Sequence, residues 1–348
     1  MTAKKTLVVE LWALGDAVIM TSILQMLETA GREVCVLCKP ATAELLRPSY
    51  PAARFITWTA PWTAFRGKYR LWRWRWREIT GVIGELRSIR FDEAVSVRTD
   101  PRDHMLMRMV GATTRCGFPT RMSGMFLNAP VQSVPRRHRV EDWQVLGERL
   151  LGANVDRVSP MLRAEAYQSS PTPETPNSNE PVLVLHCGAG HPIRRWSISN
   201  FETVIRKLRT RYRFQLWLIP DGDGFGSQLA ELADAVFSRL SWAELVWLLA
   251  RADLFLGNDS GPGHLAAAVG TPTVSVFGPQ DPSVFTPFGT HSLGVARDVC
   301  QYRPCFDSCR FDEPICLTRL ECDAVLEEIG KQLEQWVNQG VLPATFRR

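Results

Sequence analysis

The sequence predicts an α/β fold made of two doubly wound domains, each with a parallel sheet, facing a cleft. Three observations lead there. Strand-like runs alternate with helical patterns along most of the chain, which is the order of βαβ units. The strand runs are continuously apolar rather than alternating, as expected of parallel strands covered on both faces. The alternation stops at YQSSPTPETPNSNEP, residues 167–181, and then restarts. That stretch is rich in Ser, Pro, Thr and Asn and has no apolar period, so it reads as a linker. It sets an N-terminal domain at 1–166 and a C-terminal domain at 182–348. A chain of 348 residues, 45% apolar and 22% charged, is long enough to bury two cores.

In the first domain the strand runs are TLVVELW, EVCVLC, RFITW and DEAVSV. The first is followed by DAVIMTSILQMLETAG, a helix closed by Gly31. The segment FRGKYRLWRWRWREITGVIGELR reads as a second amphipathic helix. Tyr69, Trp72, Trp76, Ile79, Ile83 and Leu86 recur at steps of three or four and form its apolar, core-facing side. Arg66, Arg70, Arg73 and Arg77 form a second stripe, and Trp74 lies exposed among these arginines. A basic face with an exposed Trp suits a membrane surface or an anionic glycolipid. It lacks the context of a nucleic-acid module, so no nucleic-acid partner is expected. The second domain restarts with PVLVLHC, then a helix over SISNFETVIRKLRTR, FQLWLIP, a helix over SQLAELADAV, DLFLGND, and PTVSVFG.

Composition narrows the class. The apolar stretch after MTAKK is cut by Glu10 and Asp16 and lacks a small-residue cleavage site, so it is no export signal, and the expected location is cytoplasmic. Residues 1–150 hold 23 Lys and Arg against 14 Asp and Glu, while the remainder holds 18 against 22. The basic half is the one expected to meet an anionic partner. Four of the nine cysteines, Cys300, Cys305, Cys309 and Cys316, lie close together; such a cluster fits either a metal site or a loop packed with small thiols.

Ligands of open α/β sheets bind at the carboxyl ends of the strands, and the turns there carry the chemistry. After DLFLG comes NDSGPGH and then an Ala-rich helix. Its Gly and Pro residues leave backbone N–H groups open at a helix N-terminus, which favours an anion. Asp259, Ser260, Gly261, Gly263 and His264 therefore form either a phosphate seat or a plain βα turn capped by Asp259 or Ser260. The turn HCGAGHPIRRW places Gly188, Ala189 and Gly190 ahead of Arg194 and Arg195, whose guanidinium groups suit a pyrophosphate. Asp223, in DGDG, fits a turn near a ribose; calcium is rejected because Phe225 stands where an oxygen ligand is needed. Gly15 and Asp16 follow the first strand, where Asp16 fits a general base or an N-cap. In HRVEDW, His138, Glu141 and Asp142 fit an acceptor contact or a solvated helix start.

LWALGDAVIMTSILQML, HCGAGHPIRRWSISNFETVIRKL and NDSGPGHLAAAVGTPTVSVFGPQDP, in this order and spacing, resemble the heptosyltransferase family, glycosyltransferase family 9. The resemblance implies the GT-B arrangement of two Rossmann-like domains, with the acceptor on the first and the sugar nucleotide on the second. It implies inverting transfer of heptose from ADP-heptose to a hydroxyl of a lipopolysaccharide core or related anionic glycan, at the inner face of the membrane. On the matching positions, Asp16 is the base, and Asp259, Ser260, Gly261 and His264 contact the donor. Arg194 stands where the family carries a Lys that neutralises the donor phosphates, and Gly188 to Gly190 hold the pyrophosphate. No cofactor beyond the donor substrate is implied. Transfer of another sugar, a protein acceptor, epimerase chemistry and a non-catalytic glycolipid-binding role are the alternatives.

Overall fold

The computed structural model describes residues 3–64, 69–120, 122–152, 155–167, 173–176, 179–306 and 308–348. The chain divides into two compact units, Met1–Pro160 and Met161–Arg348. Residues 168–172, 177 and 178 of the segment read as a linker lie outside the described residues; Tyr167 at its start is 2% exposed.

The first unit runs β1 (Lys5–Glu10), α1 (Leu14–Thr29), β2 (Glu33–Cys38), α2 (Pro40–Leu46), β3 (Arg54–Thr57), α3 (Trp76–Ile89), β4 (Glu93–Ser96), α4 (Pro101–Val110), β5 (Thr114–Gly117), β6 (Ala129–Pro130) and α5 (Arg139–Leu151). Its six strands are parallel, in the order β3-β2-β1-β4-β5-β6. The central strand β1 shows why its sequence is unbroken Leu-Val-Val: Leu7, Val8 and Val9 are all fully buried. Helix α1 is apolar on most sides and buries Val18, Ile19, Met20, Ile23, Leu24 and Leu27, because the sheet and α5 both cover it.

The second unit runs β7 (Val182–His186), α6 (Ile198–Arg211), β8 (Gln215–Leu218), β9 (Ala235–Val236), α7 (Trp242–Leu249), β10 (Leu254–Asn258), α8 (Gly261–Ala268), β11 (Thr273–Val276), α9 (Pro282–Phe285), β12 (Ser292–Val295), α10 (Ile315–Thr318) and α11 (Cys322–Asn338). Its sheet is also parallel, ordered β12-β11-β10-β7-β8-β9. Each sheet thus reverses direction of winding beside its first strand, at β1/β4 and at β7/β10, the switch points where such sheets bind ligands.

Two expectations are corrected. SQLAELADAV is not a helix: Ser227–Leu232 is a 3₁₀ turn and Ala235–Val236 is the edge strand β9. The Asp234 carboxylate accepts the Leu216 N–H at 2.7 Å and seats that segment on β8. The helix predicted from Tyr69 begins only at Trp76, after a 3₁₀ turn at Leu71–Arg73. Ile79, Ile83 and Leu86 are buried as expected, but Tyr69, Trp72 and Trp76 are 74%, 78% and 52% exposed. The 100° periodicity that placed Tyr69 and Trp72 in the core does not extend upstream of the helix, and Trp76 stands exposed at its first residue.

Candidate functional site

At the β1/β4 switch point the chain gathers several charges. Glu10 ends β1 and is 1% exposed; its Oε1 accepts the Trp12 N–H at 2.7 Å. Burial, reinforced by the charge of Asp16, pushes Glu10 up to about 8, against the pull of the Trp12 N–H and Arg98. Asp16 is half-buried in the first turn of α1, where the helix dipole favours an anion. It is not an N-cap, because that position is Ala13. Just past β4, the buried Arg98 pairs with Asp103 at 3.2 Å and with Asp100 at 3.6 Å. Asp103, on α4, accepts the Trp62 indole N–H at 2.7 Å, and burial raises it to about 6. Lys39, directly after β2, is half-buried, and its pKa is lowered by burial.

The β7/β10 switch point has a different make-up. Asn258, fully buried at the end of β10, accepts the Trp196 N–H at 3.1 Å and donates to the Cys187 carbonyl. It thereby ties the turn after β7 to the turn after β10. Gly257 beside it allows the strands to approach, since a Cβ there would stand 2.5 Å from the His186 carbonyl oxygen. Helix α8 opens directly from this turn. Ser260 is at its N-cap but makes no side-chain cap bond, and its Oγ is buried without a hydrogen-bond partner. Gly261, Gly263 and His264 lie in the first turn of this helix, whose N-terminus receives no side-chain cap from Ser260; uncapped helix N-termini favour anions. Asp259 and His264 are buried here, and Arg194 reaches Asp259 at 3.6 Å.

Arg195 points elsewhere. Its guanidinium bridges Asp221 at 2.9 Å and Asp223 at 2.7 Å and lies over the Phe225 ring. Asp221 also accepts the Ala189 N–H at 3.2 Å. Gly188 is required at this point, because a Cβ there would sit 2.5 Å from the Asp221 carboxylate. The Gly188–Gly190 turn is therefore fastened to the DGDG turn by one carboxylate and one arginine.

The sequence profile of glycosyltransferase family 9 (heptosyltransferase) matches residues 79–314, which is most of the chain and includes the whole β7/β10 switch point. The chain belongs to glycosyltransferase family 9.

The family 9 chain is 34% identical over 172 residues to lipopolysaccharide heptosyltransferase 1 of Pseudomonas aeruginosa, covering 44% of this chain and 48% of that protein. It is 33% identical over 119 residues to lipopolysaccharide heptosyltransferase 3 of Escherichia coli, covering 32% and 35%. The chain thus spans about half or less of the curated relatives it matches. The E. coli heptosyltransferase WaaC, solved with ADP and with ADP-2-deoxy-2-fluoro heptose, shares the fold with a TM-score of 0.71 at 18% identity, covering 94% of this chain and 99% of that one. The fold is that of the GT-B heptosyltransferases.

Elsewhere in this family 9 chain the structure rearranges what the sequence suggested. Arg66 lies outside the described residues. Arg70, Arg73 and Arg77 are exposed, as expected, but they do not share one helix. Trp74, read as exposed, is half-buried between Trp62 and Trp76, with ring centroids 5.7 and 5.5 Å away. Trp72 takes the exposed position instead. His138 caps α5 through Nδ1 to the Val140 N–H at 3.2 Å, and the buried Asp142 pairs with Arg137 and Arg139.

The four-cysteine segment follows the thiol-loop reading among the described residues. Among the described residues no group of three or more His, Cys, Asp or Glu is placed to hold a metal ion. Cys300 and Cys316 are buried in the apolar core of the second unit, whereas Cys305 and Cys309 sit on the loop between them, half-buried. Cys305 Sγ donates to the Tyr302 carbonyl, and burial pushes the Cys316 thiol up to about 11.

The sequence reading missed Glu10, Trp12, Lys39, Arg98 and Asp103 in the first unit and Asp221 and Asn258 in the second. The missed signals were present at the strand ends: Glu10 is the one charged residue in a run of buried apolar ones, and Asn258 stands next to Asp259.

Proposed function

We propose that this chain transfers heptose from ADP-heptose to a hydroxyl of a lipopolysaccharide core or related anionic glycan, with inversion at the anomeric carbon. The observation that carries the reading is the β10–α8 turn, where an open helix N-terminus and the Arg194 guanidinium converge on Asp259 in a family 9 chain. The relatives it matches are named for lipopolysaccharide heptose transfer, and a neighbour of the same fold has been solved with an ADP-heptose analogue.

In this reading the second unit holds the donor. The first-turn donors of α8 and Arg194 bind the diphosphate and stabilise the charge that develops on it as it leaves. Gly188, Ala189 and Gly190 let the backbone approach the pyrophosphate, while Arg195 shapes that turn through Asp221 and Asp223 rather than touching the phosphates. Asp259, Ser260 and His264 orient the nucleotide sugar. The first unit supplies the base: Asp16 takes the proton of the acceptor hydroxyl as its oxygen attacks the anomeric carbon. The glycosidic bond to the diphosphate breaks as the new one forms, and ADP departs.

The acceptor surface is read on Arg70, Arg73 and Arg77 together with the exposed Tyr69, Trp72 and Trp76. Aromatic rings flanked by guanidinium groups suit the headgroup level of an anionic bilayer, so the chain is read as working at the inner membrane surface. Among the described residues no helix is long and apolar enough to cross a membrane.

Calorimetric titration of ADP-heptose, UDP-glucose and GDP-mannose into the chain and into Arg194→Ala tests the donor assignment. Selective ADP-heptose binding, weakened about tenfold to hundredfold in the variant as a charge-assisted contact is lost, is the expected result. Equal indifference to all three nucleotides overturns the reading.

A further inference from the structure

The turn that carries Asp16 is held from two sides. From below, Glu10 at the carboxyl end of β1 accepts the Trp12 N–H at 2.7 Å through Oε1, while its Oε2 is buried with no hydrogen-bond partner. From the side, the Trp12 indole lies against two guanidinium groups, Arg98 at 5.1 Å and Arg139 at 5.3 Å from the ring centroid. Arg98 is itself immobilised, 4% exposed and paired with Asp103 and Asp100. Asp103 is in turn held by the Trp62 indole N–H. The short link from Glu10 to the start of α1 at Leu14 is therefore clamped by groups from β1, α4, α5 and the segment after β4.

We propose that Glu10 and Trp12 are positioning residues for Asp16, fixing the turn on which the base rides. The inference rests on the reading of Asp16 as the base. A mispositioned base loses rate steeply, since near-attack geometry tolerates only small displacements.

The protonation of Glu10 belongs to the same device. The groups that act on it are Asp16 from α1, Trp12 N–H from the turn, Cys38 and Lys39 from the end of β2, Arg98 from beyond β4 and Asp103 from α4. Burial comes first and the Asp16 charge second, and together they keep Glu10 protonated at neutral pH. The charge of Asp16 is thus one of the two causes that hold the proton on Glu10. Ionisation of Glu10 at alkaline pH adds a second charge beside the base and repels an anionic acceptor.

Three variants of the full chain test this. Glu10→Leu and Trp12→Ala each remove one side of the clamp and lower kcat about tenfold to hundredfold, with KM for ADP-heptose within about twofold. Glu10→Gln keeps a neutral acceptor for the Trp12 N–H, so it restores kcat at neutral pH to within about threefold and abolishes the alkaline fall in kcat/KM for the acceptor. A purely structural role would lower thermal stability without splitting kcat from KM or moving the pH profile. A second readout needs no turnover: carbon-13 carboxyl NMR of glutamate-labelled protein, with Glu10→Gln for assignment, gives one carboxyl titrating near 8 whose midpoint falls in Asp16→Asn.

Wild-type kcat in both folded Glu10→Leu and Trp12→Ala overturns the proposal, as does an inactive Glu10→Gln or a glutamate set titrating wholly in the ordinary range. If Glu10→Leu does not fold, Trp12→Ala and the titration decide. Full turnover in Asp16→Asn removes the base assignment instead, and the NMR shift then still reports whether Glu10 and Asp16 form a pair.

Discussion

The two switch points share a strand order and differ in almost everything that touches them. At β1/β4 the turn after the first strand is anchored by a buried carboxyl, Glu10, and the environment raises carboxyl pKa values: Glu10 to about 8 and Asp103 to about 6. At β7/β10 the turn is anchored by a neutral amide, Asn258, and the carboxylates around it are paired with arginines, Asp259 with Arg194 and Asp221 and Asp223 with Arg195, beside a helix N-terminus. One topology therefore offers a place where burial raises carboxyl pKa values and a place where carboxylates and arginines are paired beside a helix N-terminus. Strand order decides where ligands meet a sheet, whereas the side chains at the strand ends decide which chemistry they meet.

Separating the two places gives the largest expected effect. Asp16→Asn lowers kcat about 10²-fold to 10⁴-fold, the usual worth of a general base, while leaving ADP-heptose affinity within about threefold. Steady-state kinetics beside calorimetry check it; a matched loss of donor binding would erase the division of labour between the units.

A smaller effect comes from the fastening of the Gly188 turn. A methyl at Gly188 would stand 2.5 Å from the Asp221 carboxylate, which is held by Arg195 and the Ala189 N–H. Gly188→Ala is expected to destabilise the second unit by about 1–3 kcal/mol, as overpacking does, and to weaken ADP-heptose binding in parallel. Denaturant midpoints and calorimetry measure both; an unchanged midpoint would mean that the turn moves freely.

The third effect is a slope with pH, small at any one pH step. A carboxyl whose folded-state pKa is raised holds its proton in the native chain after the unfolded chain has lost it, so its contribution is complete below the unfolded value and lost as pH rises. Glu10 makes the first unit less stable between its ordinary value of 4.5 and about 8, by at most about 1.4 kcal/mol per pH unit. Asp103 adds to this below about 6. Unfolding at a series of pH values reads the slope. Glu10→Gln should flatten its upper part and leave the part due to Asp103; an identical slope in the variant would remove Glu10 from the account.

Legibility in the sequence followed the range of the interactions. EVCVLC was readable as the strand Glu33–Cys38, because burial on both faces is written into a continuous apolar run. SISNFETVIRKLRTR was readable as α6, with Ser197 capping it through the Asn200 N–H. SQLAELADAV was misread because its helical period competes with pairing to β8 and the Asp234 seat on Leu216, which are contacts from elsewhere in the chain. Trp72 and Trp74 exchanged roles because the facing of a side chain depends on where its helix starts, and here it starts at Trp76. The Gly-rich turns and Asp16 were visible as motifs at strand ends, whereas their partners were not.

By itself, then, the sequence determined two parallel α/β halves, the turns at their strand ends, and the placing of Asp16 and the NDSGPGH segment directly after buried strands. Those features are local, set by apolar runs, glycines and helix starts that neighbouring residues specify. Only the tertiary structure decided that Glu10 would be buried near Arg98 and Asp103, that Arg195 would be taken up by Asp221 and Asp223, and that Trp72 would stand in solvent. Burial and charge pairing depend on groups contributed by several separate elements, and no window of sequence contains them all.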